Sequence, residues 1–184
     1  VTISRALQST TFPADFMLIA AANPCPCGYR SDPRRSCNCT PPQVEKYMSK
    51  ISGPLLDRID IHLDVPAVPF DELSDRVTRG TTSNTMRSDV INARDLQSKR
   101  FQDTSTRYNA QMTSRQVRTH CPIDRKCTQM LRHCVEELGL SARAHDKILR
   151  VARTIADVGG CEQIREQDLA EAIGYRSLDR ELWI

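Results

Sequence analysis

The stretch Phe16-Met17-Leu18-Ile19-Ala20-Ala21-Ala22-Asn23-Pro24-Cys25-Pro26-Cys27-Gly28 decides how this chain is read. Its first seven residues are apolar without interruption, the character of a strand buried on both faces inside a parallel sheet. An amide, Asn23, follows directly, and then two cysteines separated by a single proline. Ligands of α/β sheets collect at the carboxyl ends of strands, so Asn23 is placed to orient a water against a bound phosphate. An Asn that merely ends a strand in a turn is the ordinary alternative.

After nine intervening residues comes a second pair, Cys37-Asn38-Cys39. Thiolate–zinc bonds of ~2.3 Å require four sulfurs to converge on one point, and two short pairs bracketing one loop can meet that demand. A metal would also explain how a polar loop with no core of its own is ordered. Cys25, Cys27, Cys37 and Cys39 are therefore candidate ligands of a structural zinc with no open position. Unliganded thiols, disulfides and an iron–sulfur site stay open beside it.

Working outward, residues 1–69 are strand-like and loop-rich. Thr2-Ile3-Ser4 is a short β-branched run, and Ile59-Asp60-Ile61-His62-Leu63-Asp64-Val65 alternates with period two before Pro66, as a half-exposed strand does. Residues 70–110 form a polar connecting segment. Asp71-Glu72 follows Pro69-Phe70 and reads as a solvated helix start, Gly80-Thr81-Thr82-Ser83 reads as a loop, and Val90, Ala93, Arg94, Gln97 and Phe101 mark a polar helix outside the core. Residues 111–184 read as a helical bundle. Cys127, Met130, Leu131, Cys134, Val135 and Leu138 recur at helical spacing and stop at Gly139. Ser141 is a good N-cap for a helix carrying Ile148, Val151, Ala152, Ile155 and Ala156, which Gly159-Gly160 ends. A last helix runs from about Glu166 to Ile173. The fold class is thus α/β with a Cys-rich insertion at 25–39, followed by an all-α domain.

Bulk properties narrow the function classes. The 184 residues carry a formal charge of only +3, so net charge gives no mandate for nucleic-acid binding. No run nears the ~18 apolar residues that cross a bilayer, and the N-terminus is neither a signal nor a transit peptide. The chain does not begin with Met, which suggests a segment of a longer product. Four of the eight cysteines are scattered through helical sequence, as buried thiols of a reducing compartment are. A cytoplasmic location is expected, and the Asn38-Cys39-Thr40 glycosylation match is read as accidental.

No phosphate loop is present, since none of the seven glycines precedes a lysine. Taken alone, the chain is not expected to bind ATP tightly or hydrolyse it. Two arginines nevertheless sit where a nucleotide site needs cations. Arg58, beside Asp57 in Ser52-Gly53-Pro54-Leu55-Leu56-Asp57-Arg58-Ile59-Asp60, can project to a neighbour's γ-phosphate, a role worth ~10³–10⁵ in rate. Arg143 lies in the first turn of the helix capped by Ser141 and can point across the bundle to a phosphate. An exposed surface arginine and a surface salt bridge are the bland alternatives.

Taken in order, these segments form a pattern. Thr2-Ile3-Ser4-Arg5-Ala6 and Phe12-Pro13-Ala14, Ala21-Ala22-Asn23-Pro24-Cys25-Pro26-Cys27-Gly28, Ser52 through Asp60, Leu140-Ser141-Ala142-Arg143-Ala144 and Val151-Ala152-Arg153-Thr154-Ile155-Ala156-Asp157 resemble the magnesium-chelatase-like ComM/YifB family. Residues 70–125 match only loosely. The resemblance implies the C-terminal part of a hexameric AAA+ ATPase with its helical lid, working with ATP and Mg²⁺. Residues 1–20 would form the hairpin before sensor 1. Asn23 would be sensor 1, Arg58 the arginine finger and Arg143 sensor 2, linking the lid to the nucleotide of its own subunit. The phosphate loop, the acidic metal-binding motif and a Lon-protease-like domain would lie upstream of Val1. DNA branch migration in natural transformation is the activity it implies. Two other functions compete: a chelatase motor subunit working with a porphyrin-binding partner, and a non-catalytic zinc-stabilised DNA- or protein-binding module using Arg30, Arg34 and Arg35. The Cys-Pro-Cys pattern leans against the chelatase subunit.

Overall fold

The computed structural model describes residues 1–5, 8–14, 16–30, 32–68, 80–138 and 141–176. They fall into two compact units, Val1–Met48 and Ser49–Ile184.

In the first unit, β1 (Thr2–Arg5) and β2 (Gln8–Thr11) form an antiparallel hairpin with Thr2 opposite Thr11 and Ser4 opposite Ser9. Both hydroxyl pairs bond across the strands at 3.0 Å. Val1 and Phe12 close the open end through two backbone bonds of 2.8 Å. Cross-strand hydroxyl contacts of this kind hold a register that a hairpin without a buried face would otherwise hold weakly. After the cysteine loop, α1 (Pro41–Met48) starts on two prolines that need no N–H partner and buries Val44.

The expected buried strand at Phe16–Ala22 is not found. The segment is irregular, and Phe16, Met17 and Ile19 are 75%, 83% and 82% exposed. A strand is defined by its ladder, and among the described residues no neighbouring strand pairs with this run. Apolar character alone cannot supply the missing hydrogen bonds. The same correction applies to Ile59–Val65, where Leu63 and Val65 face solvent and only His62 is buried. Its backbone bonds go to helix ends instead.

The second unit is helical. It comprises α2 (Gly53–Leu56), α3 (Ser83–Arg100), a 3₁₀ turn (Asn109–Gln111), α4 (Ser114–His120), α5 (Arg125–Leu138), α6 (Ala142–Val158) and α7 (Glu166–Gly174). Helices α3, α4 and α6 start on side-chain caps. The Thr82 hydroxyl accepts from Thr85 N at 3.2 Å, and Ser141 Oγ accepts from Ala144 N at 3.2 Å. Thr113 and Gln116 form a capping box at the head of α4. Gly160, at φ +65°, closes α6: Cys161 N bonds to Ala156 O at 2.8 Å and Gly160 N to Asp157 O at 3.1 Å. That pairing is a Schellman ending, which needs a residue free to turn left-handed.

Helix α6 is the axis of this unit and packs against α3, α4, α7 and the 3₁₀ turn. Ala144, Ala152 and Ala156 are almost wholly buried, and their small side chains let the neighbours approach closely. Ile148, Leu149, Leu131, Cys127, Val117, Met112, Leu169 and Ile173 fill the core around them. Helix α3 was expected to lie outside the core, yet it buries Ala93 and Gln97 and delivers Phe101 into it. A polar helix joins a core when its polar residues find buried partners. Here Gln97 Oε1 accepts from Asn109 N at 3.1 Å, and Arg100 bonds to Asp157. Asp71-Glu72 and Gly139 lie outside the described residues.

Candidate functional site

Four sulfurs converge in the first unit. Cys25 Sγ lies 3.3 Å from Cys27 Sγ and 3.7 Å from Cys37 Sγ, and Cys27 and Cys37 are 3.6 Å apart. With Cys39, all four ligand atoms lie within 4.8 Å of one another. Sulfurs at ~2.3 Å from one tetrahedral centre sit ~3.8 Å apart, so the observed separations fit a single ion. They are too long for a covalent S–S bond of ~2.05 Å, and all eight cysteines are free. The space suits one ion and not a multi-iron cluster. Gly28 N–H closes a turn on Cys25 O at 3.0 Å that folds the first pair back on itself, and its φ of +82° sends the chain onward through a conformation that favours glycine.

Crowding splits the acidities of the thiols. Cys27 is drawn down to about 6, mainly by the Tyr29 backbone N–H and then by the Cys25 thiol. Cys39 receives a backbone bond from Cys27 that favours its thiolate, but burial and the neighbouring sulfurs push it up to about 12. Cys37 is raised too: the Cys39 backbone bond pulls the other way, and burial with the Cys27 and Cys25 sulfurs prevails. Four sulfurs this close do not all ionise unless a cation offsets their charge. Around the cluster, Arg35 stacks 5.1 Å over the Tyr29 ring and donates to its hydroxyl at 2.8 Å, while Arg34 N bonds to Asp32 at 2.8 Å. Asn23 lies in this unit with its side chain exposed.

In the second unit Asp57, next in sequence to Arg58, meets the start of α6, which carries Arg143. Asp57 Oδ1 accepts from Ser141 Oγ at 2.9 Å, and its Oδ2 lies 3.8 Å from Arg143 Nη1. The carboxylate thus meets the N-terminus of α6, where unpaired N–H groups and the helix dipole favour negative charge. Ser141 serves twice, accepting from Ala144 N and donating to Asp57. Arg143 is 72% exposed, and Arg58 is exposed with Nη1 donating to Pro54 O at 2.6 Å. Both guanidiniums keep donors facing solvent. Sequence reading missed Lys147, which lies 2.7 Å from Asp60 Oδ1 and donates to Arg58 O, and Arg176, which donates to Ile59 O. A lysine one position before Ile148 in α6 was the available signal. Arg176, just past a helix end, offered none.

A helical unit with a capped arginine edge, joined to a four-cysteine loop, defines the class. Residues 80–176 match the family model described as "Magnesium chelatase, subunit ChlI C-terminal", and residues 1–73 match "Magnesium chelatase, subunit ChlI". The competence protein ComM of Haemophilus influenzae is 38% identical over 182 residues, covering 99% of this chain and 35% of ComM. The YifB proteins of Salmonella typhimurium and Escherichia coli are 39% and 40% identical over 181 residues, covering 98% of this chain and 34% of each relative. The chain belongs to the magnesium-chelatase-like ComM/YifB family of the AAA+ group. It spans about a third of the length of those relatives. No helix among the described residues is long and apolar enough to cross a membrane.

Proposed function

We propose that this chain is the C-terminal part of a ring-forming AAA+ ATPase, an ATP-driven motor that works on DNA, and that it supplies sensor 1, the arginine finger and sensor 2. Asn23, Arg58 and Arg143 are the residues assigned to those roles. The observation that carries the reading is the Asp57 carboxylate, next in sequence to Arg58, which accepts from Ser141 Oγ and lies 3.8 Å from the Arg143 guanidinium. Two solvent-facing cations so placed are suited to meet the charge that develops on a transferred phosphoryl group. In this reading Arg58 addresses the nucleotide of a neighbouring subunit, and Arg143 links the lid to the nucleotide of its own. The phosphate loop and Mg²⁺ ligands would come from the remaining two-thirds of a protein the length of its relatives, and the exposed runs Phe16–Ile19 and Ile61–Val65 would pair there as strands of the α/β core. A hexamer in the cytoplasm is the form this reading implies.

The test is Arg58→Ala in the complete gene product carrying these residues. ATP turnover should fall by a factor on the order of 10³ while nucleotide binding is retained. Unchanged turnover would remove the finger assignment. DNA as substrate is tested by salt: affinity that declines steeply with ionic strength marks phosphate contacts, and a flat profile rejects them.

We also infer that the four cysteines hold zinc in a structural role. Four protein thiolates complete a tetrahedral shell and leave no position for a substrate. Bound there, the ion would supply folding energy to a loop whose buried side chains are few. That observation also favours a second reading, in which the loop is a docking module with Arg30, Arg34 and Arg35 on its surface. Replacing the three arginines separates the two, because a purely structural loop tolerates their loss.

A further inference from the structure

We propose that Lys147 and Arg176 are positioning residues that fix the backbone of Arg58, so that the arginine edge and the helical lid move as one body. This rests on the reading of Arg58 as the arginine finger.

The strap from Asp57 to His62 has no ladder of its own, and its polar groups go to two helices. Asp57 binds Ser141 and Arg143 at the start of α6. The carbonyls of Arg58 and Ile59, adjacent in sequence, accept from different cations: Lys147, one turn further along α6, and Arg176, just past the end of α7. Lys147 also pairs with Asp60 at 2.7 Å, and His62 N donates to Tyr175 O at 2.8 Å. Five of the six strap residues are therefore held, four of them through charged side chains of α6 or from beyond α7.

Burial separates these contacts from ordinary surface pairs. The Lys147 side chain is 13% exposed and Arg176 is 1% exposed. Buried cations are found with acceptors, and here main-chain carbonyls of the strap provide them. A cation on the carbonyl of Arg58 and another on that of Ile59 restrain the peptide planes that aim the Arg58 side chain. Below it, Arg58 N and Ile59 N close a turn on Leu55 O at 3.0 and 3.2 Å. The guanidinium itself bonds through Nη1 to Pro54 O and keeps its other donors towards solvent. A group that stabilises transition-state charge must be held to within a fraction of an ångström, and its own exposed side chain cannot do that. Helices α6 and α7 therefore do it, and any rotation of the lid is transmitted to Arg58 as a displacement.

The experiment is a set of turnover measurements on the complete gene product. Lys147→Met should lower kcat by roughly ten- to a hundredfold, the effect of a misplacement of about 1 Å, with KM for ATP held. Lys147→Gln, which keeps an N–H for the Arg58 carbonyl, should recover most of the rate. Combined with Arg58→Ala, Lys147→Met should add no further loss, because it acts through Arg58. Arg58→Ala slowed while Lys147→Met is unchanged, or while the two losses multiply, overturns the positioning role and leaves the finger intact. Arg58→Ala at the parent rate overturns the finger reading, and the positioning role goes with it.

Discussion

Arg100 and Asp157, 57 positions apart, meet in a bidentate pair of 2.6 and 2.7 Å beneath the surface of the helical unit. Asp157 is wholly buried and accepts in addition from Asn109 Nδ2 at 2.8 Å and from Arg153 Nε at 3.1 Å. Arg153, 3% exposed, spends its other donors on Glu162 O and Cys161 O at 2.7 and 2.5 Å. One carboxylate thus joins α3, the 3₁₀ turn and α6, and through Arg153 the loop before α7.

The first prediction follows from that asymmetry. Asp157→Ala leaves two guanidiniums without their shared acceptor and should destabilise the unit by about 3–5 kcal/mol, the range for breaking a buried pair. Arg100→Leu should be milder, since Arg153 and Asn109 still satisfy the carboxylate. Denaturant midpoints of the two variants test the order. Equal losses would mean that the network is not shared as the distances imply.

Metal removal gives the second. Zinc content should approach one ion per chain, and Cys25→Ser should abolish it, because Cys25 is the fully buried ligand. A chelator should then free thiols for titration and expose residues 25–39 to proteolysis, with the helical unit's melting left unchanged. Retained zinc in the Cys25→Ser variant would contradict the four-sulfur geometry.

Acid stability supplies the third. Arg165 holds the Asp168 carboxyl below its ordinary 3.8, chiefly by hydrogen bonds at 2.7 and 3.0 Å. A depressed folded-state pKa means that the unfolded chain binds the proton first as pH falls. Its stabilisation is therefore complete above about 4 and is lost as pH drops through the folded value. Asp168→Asn should lower stability at neutral pH and flatten the slope below pH 4. Asp124 and Asp146 are shifted the same way, so part of the slope should persist.

Legibility in the sequence divided along the range of the interactions. Helix caps and periodic apolar faces are written within a few residues, so Ser141, the Ile148–Ala156 stripe and the Gly159-Gly160 ending could be read directly. Convergence of Cys25, Cys27, Cys37 and Cys39 was also local, since two short pairs span one loop. Phe16–Ala22 forms no ladder among the described residues because a strand is a relation to another segment, and its apolar run specifies no partner. Helix α3 was misplaced for a related reason. Its tie to the core is made by Gln97 and Arg100, whose partners Asn109 and Asp157 lie 12 and 57 positions away. Polar residues with distant partners look like solvent-facing ones when read singly.

Ser141 yields the fourth prediction, where a local rule and its surroundings disagree. By propensity, Ser and Asp are about equally good N-caps, and a carboxylate at a helix N-terminus is normally favourable. Here the Ser141 hydroxyl donates at 2.9 Å to Asp57, so an aspartate at 141 would set two carboxylates against each other. Ser141→Asp should therefore be less stable than Ser141→Asn, which keeps a donor for Asp57, whereas an isolated helix would rank them alike. Ser141→Ala should lose about 0.5–2 kcal/mol as a missing cap. The discriminating measurement is salt: repulsion between the carboxylates is screened by added electrolyte, so Ser141→Asp should gain stability with ionic strength and Ser141→Ala should not. Parallel salt responses would show that Asp57 does not bear on the cap, and that its hold on the arginine edge is weaker than the distances indicate.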